Sequence, residues 1–219
     1  MAENWNTTDD YLADLLVGDD PALKSALDAN AAAGLPPIDV AAVQGKFLYL
    51  LARIRGARRV LEIGTLGGYS TIWLARAVGE TGRVITLEYE PRHAEVARVN
   101  LDHAGVGDRV EIRVGPALGS LPGLADEGPF DLVFIDADKE NNSNYVRAAL
   151  GLSRPGTVIV VDNVVRAGAI AEPGNEDERV RASREVLELL AREPRLDATA
   201  LQTVGSKGWD GFAMALVVD

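Results

Sequence analysis

Cysteine is absent from the 219-residue chain, and histidine occurs twice. Without a thiol there is no disulfide framework, no thiolate nucleophile and no cysteine zinc site. His93 and His103 fall in one amphipathic stretch, far from the acidic motifs described below, and are expected at the surface. No G-x-S-x-G elbow occurs, which argues against a Ser-His-Asp hydrolase. Apolar runs fall short of the roughly 18 residues that a membrane-crossing helix requires. Residues 1–20 are acidic rather than basic-then-apolar, unlike a secretory signal, so a cytoplasmic location is expected. Positive charge is scarce too: 22 basic against 33 acidic residues leave a net charge of -11. Such a surface repels nucleic acid and anionic membranes, so neither is expected as a partner, and solubility accounts for the acidity.

Apolar residues make up 47% of the chain, enough to bury the core of one α/β domain. We find no linker and no internal repeat, so one domain over residues 1–219 is expected: a helical extension over 1–39 and a core over 40–219. Asp20-Pro21 supplies an N-cap and a proline at the first helical position, and Gly34 offers a stop. Phe47, Leu48, Leu51 and Ile54 predict a helix over Val40–Ile54, closed by Gly56. Thereafter short Val/Ile/Leu runs alternate with amphipathic stretches. Strands are predicted over Arg59–Ile63, Val84–Leu87, Val110–Val114, Leu132–Ile135 and Val158–Val161. Helices are predicted over Ser70–Val78, Pro91–Ala104, Asn144–Leu150 and Glu178–Ala191, and two final strands over Asp197–Val204 and Phe212–Val218. Continuous apolar strands separated by helices indicate a parallel sheet covered on both faces. Ligands of such sheets sit beyond the carboxyl ends of the strands.

The residues at those ends carry the chemistry. The first strand runs into Glu62-Ile63-Gly64-Thr65-Leu66-Gly67-Gly68-Tyr69-Ser70. Glycines between a strand and a helix let a ligand approach the backbone closely. G-x-x-G-G is not the dinucleotide pattern G-x-G-x-x-G, and Glu62 would repel a pyrophosphate but suit a cationic amino-acid moiety. S-adenosylmethionine, with an ammonium and a sulfonium, has that character. The second strand ends in Glu88, an acid placed to accept ribose hydroxyls or simply to face solvent. Tyr89 beside it could cover an adenine or be a half-buried ring. Ala117, after Gly115-Pro116, could offer a backbone amide to an adenine edge or be an ordinary turn residue. The fourth and fifth strands end in Asp136-Ala137-Asp138-Lys139 and Asp162-Asn163. Separately these are cap and turn residues. Together, Asp136, Asp162 and Asn163 bring three oxygen donors to one sheet edge, a set suited to a hard divalent cation.

These residues together resemble the metal-dependent class I O-methyltransferases of the catechol and caffeoyl-CoA type, bacterial form. The likeness runs from about Val40 to Val218 and rests on the Glu62–Ser70 turn, Asp136-Ala137-Asp138-Lys139 and Asp162-Asn163. It implies a Rossmann-like α/β fold: a seven-stranded, mostly parallel sheet with the last strand antiparallel, helices on both faces and an N-terminal helical extension. It implies S-adenosylmethionine as cofactor, with Val40, Glu62, Gly64, Thr65, Gly68 and Ser70 around its methionine part. Glu88 would hold the ribose, Ala117 would meet the adenine and Asp138 would help bind the amino group, with Tyr89 and Asp136 also counted among the cofactor-binding residues. Asp136, Asp162 and Asn163 match the metal ligands, for Mg²⁺ first and Ca²⁺ or Mn²⁺ as alternatives. Lys139 matches the family's general base, with Asp136 beside it in the catalytic group. The acceptor would be a small catechol or phenol, lined by Arg166, Trp209 and Tyr11. The long insertion that plant relatives use for CoA thioesters is missing, which favours a free acceptor. Asn142 stands where close bacterial relatives carry a tyrosine, although Tyr145 is kept, so the aromatic contacts to the acceptor are expected to differ.

A phenol, with a pKa of about 10, is a poor nucleophile at neutral pH, and a divalent ion gripping adjacent hydroxyls would favour the phenolate. Two other readings start from the same turn. An NAD-type oxidoreductase is supported by the glycines and Glu88, and opposed by Glu62 and the G-x-x-G-G spacing. A catalytically silent cofactor-binding module is opposed by the intact Asp136, Lys139, Asp162 and Asn163. A two-fold dimer is expected from the family, with Leu12, Leu15, Leu16 and Val17 forming a stripe for a second copy to cover.

Overall fold

The structure is a computed structural model that describes residues 2–219, so Met1 of the expected extension lies outside it. Three helices lead the chain: α1 (Ala2–Leu16), α2 (Pro21–Ala32) and α3 (Ala42–Arg55). The remainder alternates β1 (Arg59–Ile63), α4 (Tyr69–Ala77), β2 (Arg83–Glu88), α5 (Pro91–His103), β3 (Val110–Val114), the short α6 (Ala117–Ser120), β4 (Leu132–Ile135), α7 (Asn142–Gly151), β5 (Val158–Asp162), α8 (Glu178–Arg192), β6 (Leu196–Gly205) and β7 (Gly208–Val217). The strands form one seven-stranded sheet in the order β3-β2-β1-β4-β5-β7-β6. β1 to β5 pair in parallel, whereas β7 runs antiparallel to both β5 and β6. This is a Rossmann-like arrangement with the last strand reversed.

The alternation of side chains along each strand divides the core into two layers. Val60, Val84, Leu132, Phe134 and Val160 pack beneath α2 to α5 on one face. Leu61, Ile63, Ile85, Val133, Ile135, Ile159 and Val161 pack against α7 and α8 on the other. β1, β4 and β5 are covered on both sides, which is why their sequences read as continuous apolar runs. Fully burying one such side chain contributes roughly 1.5–3 kcal/mol. β6 is an edge strand exposed along nearly its whole length.

Helix ends follow local chemistry. Asp20 caps α2 by accepting from the Leu23 amide at 3.1 Å, and Pro21 occupies the first helical position. The Asp20 carboxylate also receives Arg76 of α4 at 2.6 Å, tying the leading helices to the first crossover helix. Two sequence expectations need correction. Ala41 is extended (φ -62, ψ 153), so α3 starts at Ala42 and Val40 stays outside it, at the mouth of the site. β7 starts at Gly208, whose φ of +91 closes a tight hairpin, so Trp209 lies in a strand opposite Val204 and not in a turn. Among the described residues no helix is long and apolar enough to cross a membrane.

Candidate active site

Beyond the carboxyl ends of β1, β2, β4 and β5 lies a cavity of about 730 Å³, a size that suits a cofactor together with a small substrate. Its floor is the turn after β1. Gly64 adopts φ +99, and a side chain there would overlap the carbonyl oxygen of Asp136, so the backbones of β1 and β4 meet where only glycine fits. Gly64 N donates to Leu87 O at 2.9 Å and Asp136 N to Ile63 O at 2.8 Å, which locks the three strand ends together. Gly68 is left-handed at the start of α4. Below the turn sits a buried amide network. Asn100 of α5 donates to Gly67 O at 2.9 Å and to Asn30 Oδ1 at 3.0 Å, and Asn30 donates to Asp39 at 2.9 Å. Asp39 lines the cavity, and burial raises its carboxyl above the usual carboxylate range.

The two acids of the first strand ends do different things. Glu88 is held by backbone: its Oε2 accepts from the amides of Thr65 (3.0 Å) and Leu66 (2.7 Å), and its Oε1 from Glu90 N (2.9 Å). His93 Nδ1 stands 3.3 Å from the same Oε1. Glu62, expected to face a cationic ligand, does not reach the cavity wall. Its carboxylate turns inward to accept from Ser70 (2.6 Å), Thr71 (2.5 Å) and Thr86 (2.7 Å). Complete burial outweighs these hydroxyl donors and pushes Glu62 up to about 7.

At the other end of the cavity Lys139 Nζ pairs with Asp136 Oδ1 at 2.7 Å, its side chain 11% exposed. Asp162 is buried behind this pair. Its Oδ2 accepts from Gln44 of α3 at 2.7 Å and its Oδ1 from the Asn163 amide at 2.9 Å. Burial, and then repulsion from Asp136, push Asp162 up to about 7. Asn163 is itself left-handed, with φ +60. Among the described residues no three His, Cys, Asp or Glu side chains gather as a metal cage. The candidate set is two carboxylates and one amide. Tyr145 donates to Asp138 Oδ1 at 2.5 Å, and burial followed by that bond raises the Tyr145 hydroxyl above its ordinary range.

One cavity therefore gathers Val40, Gly64, Thr65, Ser70, Glu88, Tyr89, Ala117, Asp136, Asp138, Lys139, Asn163 and Arg166. Gly68 and Asp162 support its wall from behind. Tyr11 does not line it but lies on the outer surface of α1, 63% exposed. Trp209 lines a shallower neighbouring concavity that shares Arg166. Asp210 shapes the loop between the two by accepting from the amides of Val165 (2.9 Å) and Arg166 (3.0 Å). Asn142 is buried outside the cavity lining, whereas Tyr145 lines it, so the missing tyrosine leaves this wall aromatic. The sequence reading missed Tyr69, Asp39, Arg179 and above all His93, which lines the cavity although it was expected at the surface. Pro91, two residues before His93, was the available signal: it starts α5 immediately after β2 and so returns the first helical turn over the strand end.

A reversed seventh strand, a glycine turn and an acid-lined cavity at the strand ends define a Rossmann-like enzyme of the methyltransferase class. The O-methyltransferase family profile matches residues 14–215. A catechol O-methyltransferase of Mycobacterium tuberculosis is 65% identical over 209 residues, covering 95% of this chain and 94% of that protein. One from Niastella koreensis is 49% identical over 215 residues, 97% of each. The solved O-methyltransferase of Bacillus cereus in complex with SAH superimposes with a TM-score of 0.97 at 56% identity, covering 99% of this chain and all (100%) of that one. The chain belongs to the O-methyltransferase family.

Proposed function

We propose that the protein transfers the methyl group of S-adenosylmethionine to a hydroxyl of a small catechol-like acceptor held by a divalent cation. The carrying observation is that a single cavity joins Glu88, fixed by the glycine-turn amides, to Asp136, Lys139 and Asn163. The first group suits an adenosyl moiety and the second a polar acceptor. The catechol O-methyltransferase relatives and the SAH-bound neighbour support both halves.

In this reading Val40, Gly64, Thr65 and Ser70 surround the methionine part, Glu88 accepts from the ribose hydroxyls, and Tyr89 and Ala117 flank the adenine. Asp138, oriented by Tyr145, faces the amino group. The cofactor supplies an electrophilic methyl on its sulfonium. Asp136, Asp162 and Asn163 would hold the cation, Mg²⁺ first among candidates. The fit rests on donor chemistry: buried, mutually repelling carboxylates need positive charge, which Lys139 now supplies to Asp136. A dication there would favour the ionised form of a phenol. Lys139, once its own proton has passed to solvent, would take the acceptor's proton beside Asp136. Arg166 closes the acceptor end. Holding both reactants in one cavity contributes the remaining acceleration through orientation.

A methyl-transfer assay with catechol, with and without excess EDTA, tests this reading. Turnover that stops with chelation and returns with Mg²⁺ is expected. Full activity in EDTA would make Asp136, Asp162 and Asn163 structural, and tight NAD binding with no response to S-adenosylmethionine would end the proposal. We also infer pairing of two copies through α1, whose Leu12 (37%), Leu15 (63%) and Leu16 (63%) are exposed, whereas Val17 of the expected stripe packs against the core. A monomer by light scattering at micromolar concentration would refute it.

A further inference from the structure

We propose that His93 is a positioning residue of the cofactor site, fixing the Glu88 carboxylate in the orientation that receives ribose hydroxyls. The inference rests on the reading of Glu88 as the ribose acceptor. Only Tyr89 and Glu90 separate β2 from α5, so the first turn of α5 folds straight back over the strand end. His93 sits on that turn. Its imidazole lines the cavity with a side chain 23% exposed, and its Nδ1 lies 3.3 Å from Glu88 Oε1.

The other contacts to this carboxylate are of one kind. Thr65 N and Leu66 N hold Oε2, and Glu90 N approaches Oε1. All three are backbone donors set by the fold. Oε1 has a single amide where Oε2 has two, and the terminal torsion of a glutamate is intrinsically broad. The His93 ring stands against the less restrained oxygen, limits that rotation and excludes water from its side. A carboxylate offers about four lone-pair sites, so the hydroxyls must meet it in a narrow range of orientations.

Calorimetry with S-adenosylhomocysteine and its 2′,3′-dideoxyribose analogue tests the idea on the wild type, His93→Ala and His93→Gln. The wild type should bind the analogue at least about tenfold more weakly, the scale of lost hydrogen bonds to a charged group. His93→Ala should weaken S-adenosylhomocysteine by about fivefold to twentyfold yet leave the analogue unchanged, because the penalty acts through the hydroxyls. His93→Gln, which can still reach Glu88, should recover most of the loss. His93→Ala binding S-adenosylhomocysteine as well as or better than wild type would overturn the proposal. So would equal losses for the two ligands, which would mark a general packing defect. A wild type indifferent to the hydroxyls would instead sink the Glu88 reading, and this inference with it.

Discussion

Glu62→Gln isolates a proton that the fold holds more tightly than water does. The Glu62 carboxyl is buried among Ser70, Thr71 and Thr86 and stands at about 7, against an ordinary 4.5. At about 1.36 kcal/mol per pH unit, that separation is worth about 3 kcal/mol. Because the folded value is raised, the stabilisation is fully present below pH 4.5. It drains away as pH rises toward about 7, where the buried group ionises. Glutamine cannot ionise and resembles the protonated acid, with Ser70 able to turn its hydroxyl into an acceptor. The two proteins should therefore be similarly stable near pH 4.5, and the mutant should gain relative stability through pH 5, 6 and 7. Above pH 8 the relative gain should level off near 3 kcal/mol, or roughly 6–12 °C in Tm for a chain of this size. Urea unfolding of both proteins at each pH measures the difference, in which titrating groups that do not interact with Glu62 cancel. A difference that stays flat across this range would refute the claim that Glu62 is protonated on folding.

Lys139→Met should lower kcat by about 10² to 10⁴-fold while cofactor affinity holds, and the defect should shrink for acidic nitrocatechols that need less help in ionising. Equal losses for acidic and ordinary catechols would remove Lys139 from proton transfer. Gln44→Ala takes the α3 donor from Asp162 and should weaken Mn²⁺ binding by about tenfold or more, read by titration in the absence of acceptor. Unchanged Mn²⁺ affinity would make that hydrogen bond purely structural. Gly64→Ala forces a side chain into the Asp136 carbonyl at a left-handed position and should cost about 2 kcal/mol or more, with cofactor binding impaired even where the protein still folds.

Most of the fold was legible because its signals are local and redundant. β1 and β4 coincide with their expected limits, since strands buried on both faces cannot include a polar residue without cost. Proline at the start of α2 and α5 fixed those ends equally well. The β6–β7 hairpin was less legible: Trp209 and Asp210 lie on a partly exposed strand whose pairing has no apolar signature. The candidate site was legible where residues adjoin strand ends, as with Glu88, Asp136 and Asn163. Side-chain direction was not. Nothing in the order of residues says that Glu62 turns inward to three hydroxyls, or that Gln44 reaches across from a helix to an acid on the sheet.

The amide chain from Asp39 through Asn30 and Asn100 to the Gly67 carbonyl couples three parts of the molecule that are distant in sequence. Both ends touch the cavity floor or rim, while Asn30 belongs to a leading helix that contributes no lining residue. A ligand that settles the glycine turn would restrain Asn100, then Asn30, then the end of α2. Occupancy would thus be transmitted outward as slower amide hydrogen exchange in α2. By reciprocity, a change that loosens α2 would be felt as weaker ligand affinity at a surface it never meets. Residue substitutions in a helix that looks like packaging would then act as a dial on cofactor retention.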